Sequence, residues 1–329
     1  MGYFKNIKLL NYRNFSDRSF DFNGSCNVLI GKNGSGKTNI LEAISLFEKG
    51  RGFRKEKIIN LINFKNLDQG FNIQTIFQNQ NSDYKISVFN SEQNLKKISV
   101  NDSLEKESIK FFESLFSIIC FLPEMERLFL SSPSFRRNFL DRLIFSFDKR
   151  YNFIVNNYKK SIYERQILLK NNEPDESWLY KLEQNIVEFG STIYQKRINH
   201  ISHLNKILKE INLLKEFTHS FYLKLEDDLI YQNDKIENNN ELYLQLLKNS
   251  REKDLFLNGC SIGPHRSDFR GFSVKNDFNV NQFSTGQQKT AILLIIIAHC
   301  KHLREHLNLK PIILLDEVEK YDGQIYLLD

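Results

Sequence analysis

At 329 residues and a formal net charge of +6, the chain has room for two domains, or one with a large insertion, and is only modestly basic, which permits a nucleic-acid partner without requiring one. Cys26, Cys120, Cys260 and Cys300 show no C-x-x-C spacing, which supports neither a zinc ribbon nor a disulfide framework. The N-terminus lacks the apolar core of a signal peptide and the longest apolar run, Ala291–Ala298, is too short to span a bilayer, so a reduced, cytoplasmic protein is expected.

In chain order, Tyr3–Tyr12 and Phe15–Phe22 predict two strands joined by a tight turn at Arg13-Asn14. Val28-Leu29-Ile30 predicts a short buried strand and Thr38–Phe47 a helix. Between them, residues Gly31, Lys32, Asn33, Gly34, Ser35, Gly36, Lys37 and Thr38 spell a complete G-x-x-x-x-G-K-[ST] phosphate loop, followed by Asn39. The glycines let backbone N–H groups turn toward phosphate oxygens at a helix N-terminus. Lys37 is placed to reach β- and γ-phosphates and the Thr38 hydroxyl to ligate Mg²⁺.

Gly50–Lys55 reads as a basic, flexible stretch, and Phe71–Phe77, Tyr84–Phe89 and Lys97–Val100 alternate as antiparallel strands. Ser117–Leu122 fits a core strand ended by Pro123. From Glu124 to about Lys215 the pattern turns helical. Ile154, Tyr158, Ile162 and Leu169 share a spacing near 3.6, as do Leu182, Ile186, Phe189 and Ile193. Two antiparallel helices joined near Pro174 are expected, each of about 20–35 residues, or about 30–50 Å. Strands return at Phe221–Leu225 and Phe269–Val274, with a polar loop around Asn238–Asn240, a helix to about Lys253 and an irregular loop at Ser261–Asp268.

Two further segments carry chemistry. Phe283-Ser284-Thr285-Gly286-Gln287-Gln288-Lys289 opens a helix predicted to run to about Glu305. Read locally, Ser284 is a plain N-cap. A hydroxyl, a glycine N–H and a helix N-terminus also make a phosphate-binding surface. Then Pro311–Leu315 is an apolar strand ending in Asp316-Glu317. Two carboxylates at the end of a buried strand need a partner. Asp316 is expected to hold Mg²⁺ through water, and Glu317 to polarise the attacking water. His299, Cys300, His302 and His306 sit close together on the preceding helix. They read either as a metal site or, the preferred reading, as the polar end of an apolar helix.

The order of Ser284–Gln287 and the acidic strand resembles the S-x-G-Q signature of ABC-type ATPases, in which this loop binds the γ-phosphate held by the opposite subunit. Asn39–Ile44 followed by Gly52-Phe53-Arg54, the segment Pro133–Asp141 (P-x-x-R-R-x-F-L-D) and Gly263–Asp268 (G-P-H-R-x-D) together resemble the bacterial RecF recombination-mediator family over nearly the whole chain. The resemblance implies an α/β fold: an SMC-like P-loop ABC-type ATPase head of mixed sheets, with a helical insertion domain forming a short antiparallel helix arm. Its parts are an N-terminal ATPase lobe at 1–122, the insertion at 123–215 and a C-terminal ATPase lobe at 216–329. It implies ATP and Mg²⁺ as cofactors, with Gly31–Asn39, Ser284, Gly286 and Gln287 on the nucleotide, Thr38 and Asp316 on the metal, and Lys37 and Glu317 catalytic in a slow, DNA-dependent hydrolysis. The implied partners are a second copy bound through ATP, single-stranded DNA and gapped or duplex junctions, RecR with RecO, and indirectly the RecA recombinase. Arg51, Arg54, Lys55, Arg136 and Arg137 become candidate phosphate contacts. His265 and Arg266 lie in a family motif with no readable chemistry.

Beyond Glu317 the family pattern leads to a Leu-Asp D-loop, a closing strand and a switch histidine, whereas this sequence has Val318-Glu319-Lys320-Tyr321-Asp322 and ends at Asp329. Asp322 is the stand-in for the D-loop aspartate. A truncated product or a short C-terminal lobe is expected, with hydrolysis impaired even where ATP binds. Two other readings stand beside this one: an ATP-binding adaptor without turnover, and a transporter-type nucleotide-binding subunit. The distance between phosphate loop and acidic strand and the helical hairpin disfavour the transporter.

Overall fold

The computed structural model describes residues 2–80, 82–171, 175–213, 220–227, 239–309 and 311–316. These form two compact units, one holding the chain up to Pro123 and from Leu303 onward, the other Glu124–His302. The first unit regains the chain at Leu303.

The first unit is built on a six-stranded antiparallel sheet. Its strands are Gly2–Phe4, Asn6–Tyr12, Phe15–Asp21, Asn72–Asn79, Ser82–Asn90 and Lys96–Val100. Asn72–Asn79 lies between Asn6–Tyr12 and Ser82–Asn90, with Leu9 opposite Ile73 and Ile73 opposite Val88. Period-two alternation sends Ile7, Leu9, Ile73 and Phe77 into the core. The helix Lys37–Ser45 is anchored there, with the Phe4 ring 5.0 Å from Phe47 and 5.2 Å from Phe77. At the other end of that helix, Lys96 Nζ donates to the carbonyls of Leu46 and Glu48. A cation thus sits at the C-cap carbonyl of the helix whose opposite end is the phosphate loop. Lys106–Ser114 is a helix that the sequence reading did not foresee.

Ile118–Phe121 pairs in parallel with Ile312–Leu315, and the Asp316 N–H continues the ladder to Phe121 O at 3.1 Å. This pairing carries the acidic residue to a fixed place. One expectation fails: Val28-Leu29-Ile30 is irregular, and Val28 and Ile30 are 75% and 87% exposed. Among the described residues no strand pairs with it. An apolar triplet without ladder partners has no sheet to join.

In the second unit, Ser132 caps the helix Pro133–Phe147 by accepting from Phe135 N–H, with proline at its first position. The helices Tyr151–Leu169 and Glu176–Leu213, of 19 and 38 residues, form the expected hairpin. The second is about 57 Å long at 1.5 Å per residue, somewhat beyond the expected range. Leu168, Leu169, Leu179 and Leu182 close its apolar end. Deeper in, Arg165 is buried between Glu183 at 3.1 Å and Asp254 at 2.7 Å. The short helices Asn240–Asn249 and Arg251–Leu257 pack here. Phe221–Glu226 pairs antiparallel with Asp268–Ser273, and the helix Thr285–Leu307 follows. None of the helices described is long and apolar enough to cross a membrane.

Candidate functional site

The phosphate loop adopts the backbone its sequence requires. Gly34 and Gly36 have φ of 80° and 101°, in the left-handed region. At Gly36 a Cβ would also meet Phe15 Cζ at 2.5 Å and the Asn14 side-chain amide at 2.8–2.9 Å. Gly36 is the N-cap of Lys37–Ser45, without a side-chain cap and without an acidic residue in the first turn. The first-turn N–H groups of a helix lack intrahelical acceptors. Here they face an exposed loop and suit an anion. Lys37 Nζ donates to Gly31 O at 2.6 Å and Lys32 O at 3.3 Å, so the loop curls around the ammonium. These residues fit a nucleoside polyphosphate.

The decisive contact spans most of the chain. Thr38 Oγ1 donates to Asp316 Oδ1 at 3.3 Å, 278 residues away. A hydroxyl and a carboxylate meeting at a phosphate loop supply two hard oxygen ligands of the kind Mg²⁺ takes together with phosphate oxygens. Both belong to the first unit. Glu317 and Asp322 lie outside the described residues.

A support that sequence reading missed lies in the turn ahead of the loop. Asn14 Nδ2 donates to Ser35 O at 3.3 Å and Asn14 Oδ1 accepts from Asn39 Nδ2 at 2.9 Å. Arg13 clamps the fully buried Glu42 through Nε at 2.9 Å and Nη2 at 2.7 Å, and Tyr12 OH donates to the same carboxylate at 3.1 Å. Arg54 adds bonds to Asn39 at 2.9 Å and Glu42 at 3.3 Å. The available signal was the turn at Arg13-Asn14 together with an acidic residue at the centre of Asn39–Ile44.

The signature segment belongs to the second unit. Gln287 N–H donates to Ser284 Oγ at 3.4 Å while Ser284 N–H donates to Gln287 Oε1 at 2.9 Å, a reciprocal capping box. A Cβ on Gly286 would meet nothing within 4 Å. The local N-cap reading therefore holds, and the same geometry leaves an exposed glycine at a helix N-terminus.

The candidate DNA contacts divide. Arg51 and Lys55 lie on an exposed turn, where Arg54 is engaged with Asn39 and Glu42. Arg136 is buried, gives both edges of its guanidinium to Asp268 at 2.7 Å, and reaches the carbonyls of Phe129 and Ser131. It holds the G-P-H-R-x-D loop and is removed from the phosphate contacts. Arg137 is half-buried, donating to Ser267 O at 2.6 Å.

The histidines of the last long helix form no metal centre: among the described residues no group of three ligating side chains is placed to hold an ion. His299 and His302 are buried, with ring centroids 5.1 and 5.4 Å from His200. His302 stacks on Phe147 at 4.5 Å, and His299 Nε2 lies 2.6 Å from Ser146 Oγ.

Residues 26–321 match the AAA_21 family model, described as an AAA domain and naming the AbiEii toxin of a Type IV TA system. The chain is 33% identical over 316 residues to the DNA replication and repair protein RecF of Clostridium perfringens, covering 96% of this chain and 86% of the relative. The chain belongs to the RecF family. A solved structure of the recombination mediator protein RecF with ATPrS, in the RecFOR pathway, superposes with a TM-score of 0.84 at 28% identity, over 96% of this chain and 85% of the other. An Smc head bound to the C-winged helix domain of ScpA shares the fold, with a TM-score of 0.50 at 14% identity over 95% of this chain and 89% of the other. This RecF-family chain thus shares its fold with an Smc head, and its phosphate loop and acidic strand meet at Thr38 and Asp316.

Proposed function

We propose that this RecF-family protein is an ATP-gated DNA clamp of recombinational repair, and the 3.3 Å contact between Thr38 and Asp316 is the observation that carries the reading. The loop Gly31–Asn39 holds the triphosphate: the first-turn N–H groups and Lys37 bind its oxygens, and Asn14 keeps the loop backbone in place through Ser35. Thr38 and Asp316 hold Mg²⁺, which when bound neutralises phosphate charge. Glu317, next in sequence, orients and polarises water for slow hydrolysis.

Ser284, Gly286 and Gln287 of a second copy complete the site on the γ-phosphate, so ATP joins two chains. The joined pair clamps single-stranded or gapped DNA at duplex junctions and, with RecR and RecO, helps load recombinase. The support is family membership, the ATP analogue held by the RecF relative, and an exposed basic turn at Arg51–Lys55 suited to phosphate contacts.

Gapped-DNA binding with and without ATP tests the reading, comparing the unaltered chain with Lys37→Ala and Glu317→Gln. ATP-dependent binding is expected to vanish in Lys37→Ala and to persist longer in Glu317→Gln. Binding indifferent to ATP and to Lys37→Ala would overturn the clamp.

A further inference from the structure

The loop Cys260–Asp268 is surrounded by more cations than it has carboxylates to meet them. Asp268 takes both edges of Arg136 and a bond from Arg270 at 2.7 Å. Asp141 takes both edges of Arg197 at 2.8 Å and the Tyr151 hydroxyl at 2.6 Å. Arg197 also braces the loop through Pro264 O at 2.5 Å and Ser267 Oγ at 2.9 Å. Both acids are consumed by these arginines.

Two arginines at this loop, Arg266 on it and Arg137 on the helix Pro133–Phe147 beside it, have no such partner. Arg137 Nη1 donates to Ser267 O at 2.6 Å, and Arg266 Nε donates to Cys260 O at 2.9 Å. Neither forms an ion pair among the described residues. A guanidinium offers five N–H donors, so one carbonyl apiece fixes each fork and leaves most of its donors unspent. Arg266 is exposed and Arg137 half-buried. Near both, His265 Nε2 donates to Cys260 O and its Nδ1 accepts from Tyr158 OH, both at 2.8 Å. Burial, with Arg266 and Arg137 beside it, keeps that ring down at about 4, so it stays neutral and adds no third charge. The charge on Arg137 is disfavoured by burial and by Arg197 and Arg266, with Asp268 and Asp141 only partly offsetting this, and an external oxyanion relieves that repulsion.

We propose that Arg137 and Arg266 form a two-pronged oxyanion site that takes a backbone phosphate of DNA. The assignment rests on the clamp reading. It gives Arg266 of the G-P-H-R-x-D loop a role as a direct contact, and makes Arg136 and Arg197 the positioning residues behind it. A free nucleotide presents the same phosphate chemistry, so the test separates the two sources.

The chain is titrated with gapped DNA in the presence of ATP at several salt concentrations, and nucleotide binding is measured in parallel. Arg137→Gln and Arg266→Gln are each expected to weaken DNA binding about 3- to 10-fold at low salt and to flatten the log K against log salt slope by about 0.9. Nucleotide affinity should not change. Arg266→Lys, which keeps the charge, should restore most of the slope. If the unaltered chain binds DNA and neither glutamine variant changes affinity or slope, the site is overturned while the clamp stands. Weakened DNA binding with an unchanged slope marks a disturbed loop and also overturns it. Loss of nucleotide affinity instead of DNA affinity assigns the pair to nucleotide phosphate, against the proposal. If the unaltered chain fails to bind DNA at all, this site falls together with the clamp.

Discussion

At the scale of single residues, the phosphate loop depends on a carboxylate that never touches it. Glu42 has no exposed surface and is neutralised by Arg13 and Arg54, the same groups that tie the preceding turn and Gly52–Arg54 to the loop helix. Glu42→Gln removes the charge at nearly constant volume and leaves Arg13 facing a neutral amide. Breaking a largely buried pair from one side costs about 3 kcal/mol, and urea unfolding reads it directly; a loss below about 1 kcal/mol would contradict this role. The loop itself was legible because each of its requirements is local: glycines for a left-handed backbone, a lysine, a hydroxyl. The place of Arg136 was not legible. Its sequence neighbours announce a basic segment, whereas its carboxylate is Asp268, 132 residues away. Charge in a sequence does not reveal whether a distant acid will claim it.

Among elements, the helices repaid sequence reading and the strands did so unevenly. A 3.6 spacing sustained over tens of residues is hard to produce by chance, and it placed the hairpin of Tyr151–Leu169 and Glu176–Leu213. A three-residue apolar run carries little pattern, which is why Val28-Leu29-Ile30 was misjudged. Lys106–Ser114 escaped because its nine residues bury only one side chain, Phe112. Packing between helices also makes a pH-sensitive joint that no single segment announces. His200 from one helix meets His299 and His302 from another, with Ser146, Phe147 and His203 around them. Burial first, then the neighbouring imidazoles, pushes His200 down to about 3, and His299 is likewise held well below its ordinary range.

The unfolded chain takes up these protons near pH 6.5. Between there and the depressed folded values it binds more protons than the native state. Stability is therefore full above about pH 6.5 and falls on acidification, by about 1.4 kcal/mol per pH unit for each histidine. Urea midpoints measured at pH 7.5 and 5.5 check this. The unaltered chain should lose stability at the lower pH, and His200→Gln should lose distinctly less. Equal losses in the two would contradict the assignment.

On the scale of the whole molecule, the central claim is that each chain carries half of two sites. Its phosphate loop and Asp316 lie in one unit and its signature loop in the other. Ordering of motifs along the sequence made a shared site an expectation, although it grouped Asp316 with the signature loop; the number of chains needed to complete a site is a property of an assembly. Complementation by mixing tests it most directly. Gly286→Glu adds a side chain where the space is open, so the chain should fold and bind ATP yet fail to pair. Lys37→Ala should keep its signature loop and fail to bind ATP. Sedimentation velocity with ATP is expected to show monomers for each variant alone and a dimer population when the two are mixed, since one composite site is then intact. Monomers in the mixture, with the unaltered chain dimeric under the same conditions, or an ATP-driven dimer of Gly286→Glu by itself, would contradict a site shared between two chains.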